Sequence, residues 1–191
     1  ITEQLRRLKD LYGADLSNYN ALFLGEHDAL QAGPSHICWS IQEAYRQFGF
    51  AEAYLQDHKT FFFGSATSLL NTPEQFFVDL KHLPGMFYIN IGLESADQET
   101  LDKLCKPISE RLVQEAFTRI QEINNRYQNV EITANFIMDD GLPSNHYPKI
   151  LNLLRDRQVF TSPKGSIYFS PLTFDQPSRA RLFEFNRLKV L

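Results

Sequence analysis

Polar side chains follow the apolar runs of this sequence at five places where a protein could hold a ligand or move a proton. These places are residues 25–28, 64–68, 94–97, 138–141 and 170–171. Their carboxylates and hydroxyls suit hydrogen bonding and acid–base work. Glu94 is the most informative of them, because an acid directly after an apolar strand needs a partner or water. It would face a ligand, cap the following helix or pair with a nearby lysine.

Other kinds of chemistry have weaker support. His27 and His36 match no recognised spacing of metal ligands, so the sequence predicts no metal site. Ser65 is not part of the G-x-S-x-G turn that exposes a hydrolase nucleophile. The two cysteines are predicted to be a core residue, Cys38, and an inert half-buried thiol, Cys105. They cannot supply a cluster motif.

Composition and charge narrow the class of protein. The 191 residues include 19 basic and 23 acidic side chains, and the net charge of −4 with a pI near 5.7 argues against nucleic-acid binding. Hydrophobic residues at 43% exclude wholesale disorder. Two cysteines exclude a disulfide scaffold and indicate a reducing compartment. No apolar run reaches the ~20 residues of a membrane helix, so we expect a cytoplasmic domain with no membrane partner.

The elements that must position these residues alternate between helices and strands. Helical patterns cover residues 2–13, 35–48, 73–82, 97–104, 109–127, 147–157 and 177–187. Apolar runs predict strands over 21–25, 61–65, 86–93, 131–138 and 166–172. Ser35, Thr72 and Asp97 are the predicted N-caps of their helices. This order predicts a parallel sheet with helices outside it, and the continuously apolar strands indicate that both of its faces are covered.

A single α/β domain over residues 1–191 is the resulting prediction, because no linker or repeat interrupts the pattern. The chain opens on a helix and without a methionine, so we expect a fragment whose first strand precedes Ile1. The site would lie beyond the carboxyl ends of the strands, where ligands gather in parallel βα architectures.

Four blocks of the sequence, in order on successive strands, resemble the radical S-adenosylmethionine (SAM) superfamily, in particular its MiaB-like domains. The blocks are residues 23–30 (FLGEHDAL), 88–95 (YINIGLES) with the helix that follows it to Lys106, 135–143 (NFIMDDGLP) and 170–172 (SPL). The second block is the clearest, since it resembles a family strand that ends in Gly-Leu-Glu-Ser. The blocks together cover most of the chain.

The resemblance implies a partial TIM-like barrel of parallel strands, with about five strands present and the first strand of the (β/α)6 core missing. The family's CxxxCxxC loop, which follows that first strand and binds a [4Fe–4S] cluster, is absent from this chain. SAM and the cluster would be the cofactors of the full-length protein, and the cluster is not expected in this fragment.

The resemblance also implies which residues hold SAM. Gly25, Glu26 and His27 would lie against its amino group, and Glu94 and Ser95 would face its ribose or methionine portion. The strand over 133–138 would flank the adenine through backbone groups and apolar contact. The complete set of implied cofactor-binding residues is Gly25, Glu26, His27, Ser65, Glu94, Ser95, Asn135, Ile137 and Met138.

The implied function is that of a radical SAM enzyme fragment, which forms the SAM-binding wall and part of the substrate pocket. Reductive cleavage of SAM by an electron from the cluster would give a 5′-deoxyadenosyl radical, and the cofactors carry that chemistry. A reductant for the cluster would be a partner, and the chain as given would be inactive without its cluster segment.

Two other functions stay open. A binding or scaffold protein of the same fold would naturally lack the cluster. An unrelated α/β-barrel hydrolase or lyase would use Glu26, Glu94 and Asp139 as its carboxylates. The sequence does not identify the substrate, and the unpaired edges of an incomplete barrel are compatible with a dimer.

Overall fold

The computed structural model describes residues 1–155, 164–165, 167–171 and 178–190. Its strands are β1 (Ala21–Leu24), β2 (Lys59–Ser65), β3 (Met86–Glu94), β4 (Val130–Met138) and β5 (Ile167–Pro171). All of them pair in parallel within one five-stranded sheet, in the order in which they occur in the sequence. This confirms the predicted fold class, an α/β architecture with a partial TIM-like sheet.

The helices precede, connect and follow the strands. They are α1 (Thr2–Tyr12), α2 (Pro34–Phe48), α3 (Ala66–Asn71), α4 (Glu74–Lys81), α5 (Gln98–Lys103), α6 (Glu110–Arg126), α7 (His146–Arg155) and α8 (Arg179–Val190). Short 3-10 turns cover Gly13–Asn18, Ala29–Ala32 and Phe50–Glu52. The helices α3, α4 and α6 contact the strands, and their buried residues form one core cluster with the buried residues of one face of the sheet.

The hydrophobic core lies between that face and the helices. On β3, Phe87, Ile89, Ile91 and Leu93 are buried, and they alternate with half-buried residues on the opposite face. On α6 the buried residues recur at helical spacing and include Phe117. The central strands are therefore held firmly from the helix side.

The described residues leave the opposite, inner face of the sheet partly exposed, so the prediction that both faces are covered is wrong for that face. Phe23 on β1 is 65% exposed and Phe63 on β2 is 38% exposed. The sequences of both strands are continuously apolar because their inner face carries aromatic rings, although no second layer buries those rings in the described part of the chain. In barrel architectures this face lines the interior.

The predicted helix starts have mixed outcomes. Asp97 does cap α5, since its Oδ2 accepts from Thr100 N–H at 3.0 Å. Ser35 is wrong as a cap, because α2 begins one residue earlier with Pro34 after Gly33. Thr72 is also wrong: it ends the unpredicted helix α3, and its hydroxyl donates to the Ser68 carbonyl at 2.7 Å.

Parts of three predicted elements lie outside the described residues. They are residues 166 and 172 of the last strand, 156 and 157 of the helix before it, and 177 of the terminal helix. Among the helices that the structure describes, none combines the length and the apolar character needed to cross a lipid bilayer.

Candidate functional site

Side chains on the inner face form rows, because paired strands hold their residues level with one another. From the amino to the carboxyl ends, the rows are Phe23–Phe61–Tyr88–Glu131, then Phe63–Asn90–Thr133, then Ser65–Gly92–Asn135–Tyr168. Glu94 ends β3 beyond the last row. The face thus changes from aromatic to polar toward the edge where ligands bind in parallel α/β folds.

Glu94 has a backbone conformation that non-glycine residues rarely adopt, with φ of +66°. The pairing of β3 with β4 shifts register between Gly92 and Glu94, as at a β-bulge. The carboxylate folds back over Gly92, where an added Cβ would lie 2.7 Å from Glu94 Oε1. Gly92 therefore provides the space that the carboxylate occupies.

Lys106 holds this carboxylate in place. Its Nζ donates to Glu94 Oε1 at 3.0 Å, and the lysine and glutamate side chains are only 28% and 21% exposed. This confirms the interpretation that Glu94 pairs with a nearby lysine. The other oxygen, Oε2, accepts no hydrogen bond from the residues that the structure describes, so it keeps acceptor capacity for a ligand.

Ser95 lies behind this edge and is fully buried. Its Oγ lies 2.8 Å from His146 Nδ1, and His146 Nε2 lies 3.0 Å from the Ile137 carbonyl oxygen. Because a carbonyl can only accept, Nε2 carries the proton and Nδ1 accepts from the Ser95 hydroxyl. Ser95 Oγ in turn accepts from Asp97 N–H. The Ser95 hydroxyl is therefore engaged by protein groups that join the ends of β3 and β4.

The same burial determines the charge of the imidazole. Burial lowers the pKa of His146 below its ordinary value of 6.5, and this outweighs the Ile137 carbonyl and Asp97, which raise it. His146 is neutral near pH 7, as its hydrogen bonds require.

The turn after β1 carries Gly25, Glu26 and His27, all exposed. Gly25 has φ of +76°, and a Cβ at this position would lie 3.1 Å from Ala29 Cβ. Glycine is therefore required for the turn. The two side chains that follow it extend into solvent at the edge of the sheet.

Asp28 and two serines connect the ends of β1 and β2. Ser68 Oγ donates to Asp28 Oδ1 at 2.6 Å, and Gln31 Nε2 donates to Oδ2 at 3.0 Å. Burial raises the pKa of Asp28, but the hydrogen bonds from Ser65, Ser68 and Gln31 outweigh it and lower the pKa below its usual value. Ser65 caps α3 through reciprocal bonds with Ser68, so its role in this structure is to start a helix.

The end of β4 supplies one polar and two apolar site residues. Asn135 lies on the inner face, level with Gly92 and Tyr168, and its Oδ1 is buried without a hydrogen-bond partner in the described part of the chain. An acceptor in that state costs about 1–3 kcal/mol, which a ligand pairing with the amide would relieve. Ile137 and Met138 are buried and apolar.

The carboxylates of the hydrolase or lyase hypothesis belong to three different strands. Glu26 follows β1, Glu94 ends β3 and Asp139 follows β4. β1 and β3 are two strands apart, and β1 ends level with Ile89, five residues before Glu94. The ends of the two strands, from which Glu26 and Glu94 leave the sheet, are therefore about 19 Å apart. Asp139 Oδ1 accepts from Gly141 N–H at 3.2 Å within its own turn. The fold does not gather these three groups into one close cluster.

Side chains that could coordinate a metal ion are not clustered in the described part of the chain either. Residues 1–155 and the shorter described segments contain no group of three His, Cys, Asp or Glu that could hold a metal ion. Cys38 is half-buried on α2, where burial raises its thiol pKa, and Cys105 is exposed after α5. An iron–sulfur cluster needs several thiolates at one place, so these residues do not fit a [4Fe–4S] cluster.

Sequence reasoning missed His146, which proves to be the residue that joins two strand ends. The helix was predicted to begin one residue later, and the Gly-Leu-Pro turn at 141–143 gave no indication of a buried imidazole. Only the packing of α7 beneath both strand ends reveals it.

Two solved structures of the cobalamin-dependent S-adenosylmethionine radical enzyme OxsB are similar to this chain. The one with aqua-cobalamin bound matches 98% of this chain and 25% of the OxsB chain, with a TM-score of 0.51 and 16% identity. The one with aqua-cobalamin and S-adenosylmethionine bound covers the same shares, with a TM-score of 0.47 and 15% identity. The first similarity shows a radical SAM-like fold and nothing finer.

The chain spans about a quarter of the OxsB chain. None of the protein-family models and none of the curated proteins compared with the sequence matches it.

Proposed function

We propose that this chain, as a single α/β domain, forms the SAM-binding wall and part of the substrate pocket of a radical SAM enzyme. The fold supports the proposal, because a solved enzyme named as a SAM radical enzyme has it. The polar edge of the inner face supports it further, because that edge is where the fold class binds ligands.

Glu94 is the observation that carries the proposal. It is a half-buried carboxylate at the end of the central strand, with one oxygen engaged by Lys106 and the other able to accept. The strained φ of +66° persists because the surrounding structure holds the residue in this position, and such strained residues are concentrated at ligand-binding sites. A carboxylate held in this way suits the two neighbouring hydroxyls of a ribose, since charge-assisted hydrogen bonds are the strong ones.

The other site residues fit parts of the same ligand. The exposed turn at Gly25, Glu26 and His27 is acidic and would face the amino group of SAM. The apolar end of β4, with Ile137 and Met138, would flank the adenine. The Asn135 amide lies on the inner face beside this end and has a hydrogen bond to offer.

Ser95 and Ser65 would act indirectly. The buried Ser95–His146 pair would fix the ends of β3 and β4 relative to each other, and Ser65 would fix the end of β2 through α3. A preorganised edge of this kind loses little entropy when it binds a ligand.

SAM, when bound beside a reduced [4Fe–4S] cluster, supplies the radical chemistry of such enzymes. The described residues do not hold the cluster, so this chain's own part is to bind and orient the cofactor and to exclude water. A reductant would be required as a partner, and the substrate enters from the inner face. A dimer through the unpaired edge of β1 stays a prediction.

Replacing Glu94 by glutamine tests this function. Glu94→Gln keeps the size of the side chain and removes its charge, and hydrogen bonds to charged groups contribute about 1.5–3 kcal/mol. We expect the affinity for SAM, measured by isothermal titration calorimetry, to fall about tenfold or more. Glu99→Gln, an exposed residue on α5, makes the same change of charge nearby and should leave the affinity unchanged. Equal affinities of wild type and a folded Glu94→Gln would contradict the proposal.

A further inference from the structure

A stack of aromatic rings crosses the inner face below the polar edge. Phe23 and Phe61 have ring centroids 5.2 Å apart at 20°, and Phe61 and Tyr88 have centroids 4.9 Å apart at 15°. These distances match the spacing of neighbouring strands, since the three residues occupy one row. Phe63 adds a further ring 6.0 Å from Phe23.

The middle of this stack is less exposed than its edge. Phe61 and Tyr88 are half-buried, whereas Phe23 at the edge of the sheet is 65% exposed. A partly buried row of rings of this kind suits contact with the aromatic ring of a small molecule.

Above the rings lies a polar layer with one unsatisfied amide. Asn90 Nδ2 donates to Thr133 Oγ1 at 2.9 Å, so these two groups satisfy each other. Asn135, one row further, has no such partner for its Oδ1 within the described residues. Rotation of its amide by 180° would present either the carbonyl or the NH₂ group to the inner face, so it can pair with a carboxamide through both groups.

The charged groups on this face are either paired with an opposite charge or negative, so they disfavour an anionic ligand. Glu94 is paired with Lys106. Glu131 ends the row of rings, and together with burial, the larger cause, it raises the pKa of Tyr88. The groups between these charges, Asn90 and Thr133 among them, are neutral. An uncharged ligand fits this arrangement.

We propose that the inner face binds an uncharged substrate with a planar aromatic ring at one end and a carboxamide-like group at the other. The ring rests against the free edges of Phe61 and Tyr88, whose faces stack on each other. The carboxamide pairs with one lone pair and one N–H of Asn135, which leaves the second of each for the hydrogen bond to SAM proposed above. The two rows are four residue steps apart along β4, and Tyr88 and Asn135 lie on neighbouring strands, so these contacts are about 14 Å apart. The inference rests on the proposed function, whose substrate pocket it describes.

Binding of 6-phenylhexanamide, a compound with this pattern, tests the proposal. We expect saturable shifts of the Phe61 and Tyr88 ring signals and of the Asn135 side-chain amide in NMR spectra of the isotope-labelled protein. The matched compounds 6-phenylhexanoate, with a negative charge, and hexanamide, without a ring, should each bind at least about fivefold more weakly, because a single lost contact is worth about 1 kcal/mol. Absence of saturation, or equal binding of all three compounds, would overturn the proposal.

Variants separate the ring contact from the amide contact. Phe61→Leu and Tyr88→Leu should each weaken binding of 6-phenylhexanamide, and Tyr54→Leu, which removes a 79% exposed ring elsewhere, should not. Asn135→Leu should weaken it about tenfold while leaving the free energy of unfolding equal or higher, because it removes an unsatisfied buried acceptor. A purely structural role for Asn135 would instead lower stability and leave binding unchanged.

Two variants distinguish failure of this substrate proposal from failure of the SAM proposal. Phe61→Leu should bind SAM as the wild type does, and Glu94→Gln should bind 6-phenylhexanamide as the wild type does. Shifts of the Phe61 and Tyr88 signals with protein concentration alone would show that a second copy covers the face, which would also overturn the proposal.

Discussion

Both residues of the Glu94–Lys106 pair lie at, or directly after, a backbone position with positive φ. Only three non-glycine residues in the described part of the chain have positive φ, and two of them are Glu94 at +66° and Cys105, directly before Lys106, at +53°. Such conformations cost about 1–3 kcal/mol each, and they persist where the rest of the fold determines them. The ion pair is thus held from both sides, which fits a group kept ready for a ligand.

Replacing Cys105 tests the strain directly. Glycine adopts positive φ without a steric penalty and alanine does not, so Cys105→Gly should be more stable than Cys105→Ala by about 1 kcal/mol. Urea unfolding of the two variants measures the difference. A more stable Cys105→Ala would show that this backbone position is not strained.

His146 predicts a pH dependence of stability. Because burial keeps its folded pKa below the ordinary 6.5, the unfolded chain binds a proton that the folded protein does not. Above about pH 6.5, His146 should therefore not change the free energy of unfolding with pH. Below that pH, it should make the free energy of unfolding fall by up to about 1.4 kcal/mol per pH unit. His146→Gln should show a smaller slope between pH 6.5 and 5, measured by urea unfolding at each pH. His58, whose pKa burial also lowers, would still contribute the remaining slope. Identical slopes in both proteins would contradict this account.

At the scale of elements, polar side chains connect neighbouring helices and strands. Asn124 on α6 accepts from Ile132 N–H at 2.7 Å and donates to the Ile132 carbonyl at 2.8 Å, on the side of β4 where β5 has not yet begun. Glu74 at the start of α4 receives Arg119 and Arg126 of α6, each at 2.6 Å, and the Tyr127 hydroxyl. These contacts fix α6 against both the sheet and α4.

We expect Glu74 to make a second pH-dependent contribution to the free energy of unfolding. The Tyr127 hydroxyl and the two arginines lower its pKa from 4.5 to about 2, although burial raises it. Its contribution is present above about pH 4.5 and is lost as the pH falls toward about 2. Because the side chain is 36% exposed, solvent screening limits the effect, and Glu74→Gln should cost about 1 kcal/mol at pH 7. Glu115→Gln, at an exposed pair with Arg111, is the control and should show no measurable change. A cost for Glu74→Gln that is equal at pH 7 and pH 2.5 would contradict the prediction.

The pattern of elements was largely predictable from the sequence, because apolar runs and turns mark the strands locally. The helix α3 was missed, since it starts directly after β2 and its cap, Ser65, is itself the last residue of the strand. The carboxylate at Glu94 was predicted from its position after an apolar strand. Pairing with a lysine was one of the predicted roles of Glu94, but which lysine it pairs with, Lys106, and the buried imidazole of His146 depend on contacts between distant segments, which no local pattern records.

At the scale of the whole molecule, the sheet has two unlike faces. Its outer face supports the core, and its inner face presents rings below and polar groups above, toward the carboxyl ends of the strands. The OxsB chain that shares this fold is about four times as long as this chain. The part that we propose for this chain is the wall described above.

Mapping SAM onto the wild-type protein tests the central claim most directly. Backbone amide signals should shift on addition of SAM at the carboxyl edge of the sheet, over residues 25–28, 92–95 and 135–141, because those segments form the proposed wall. Residues 59–61 and 86–88, at the amino edge of β2 and β3, should stay unchanged. Shifts confined to the amino edge, or no saturable shift at any residue, would contradict the account.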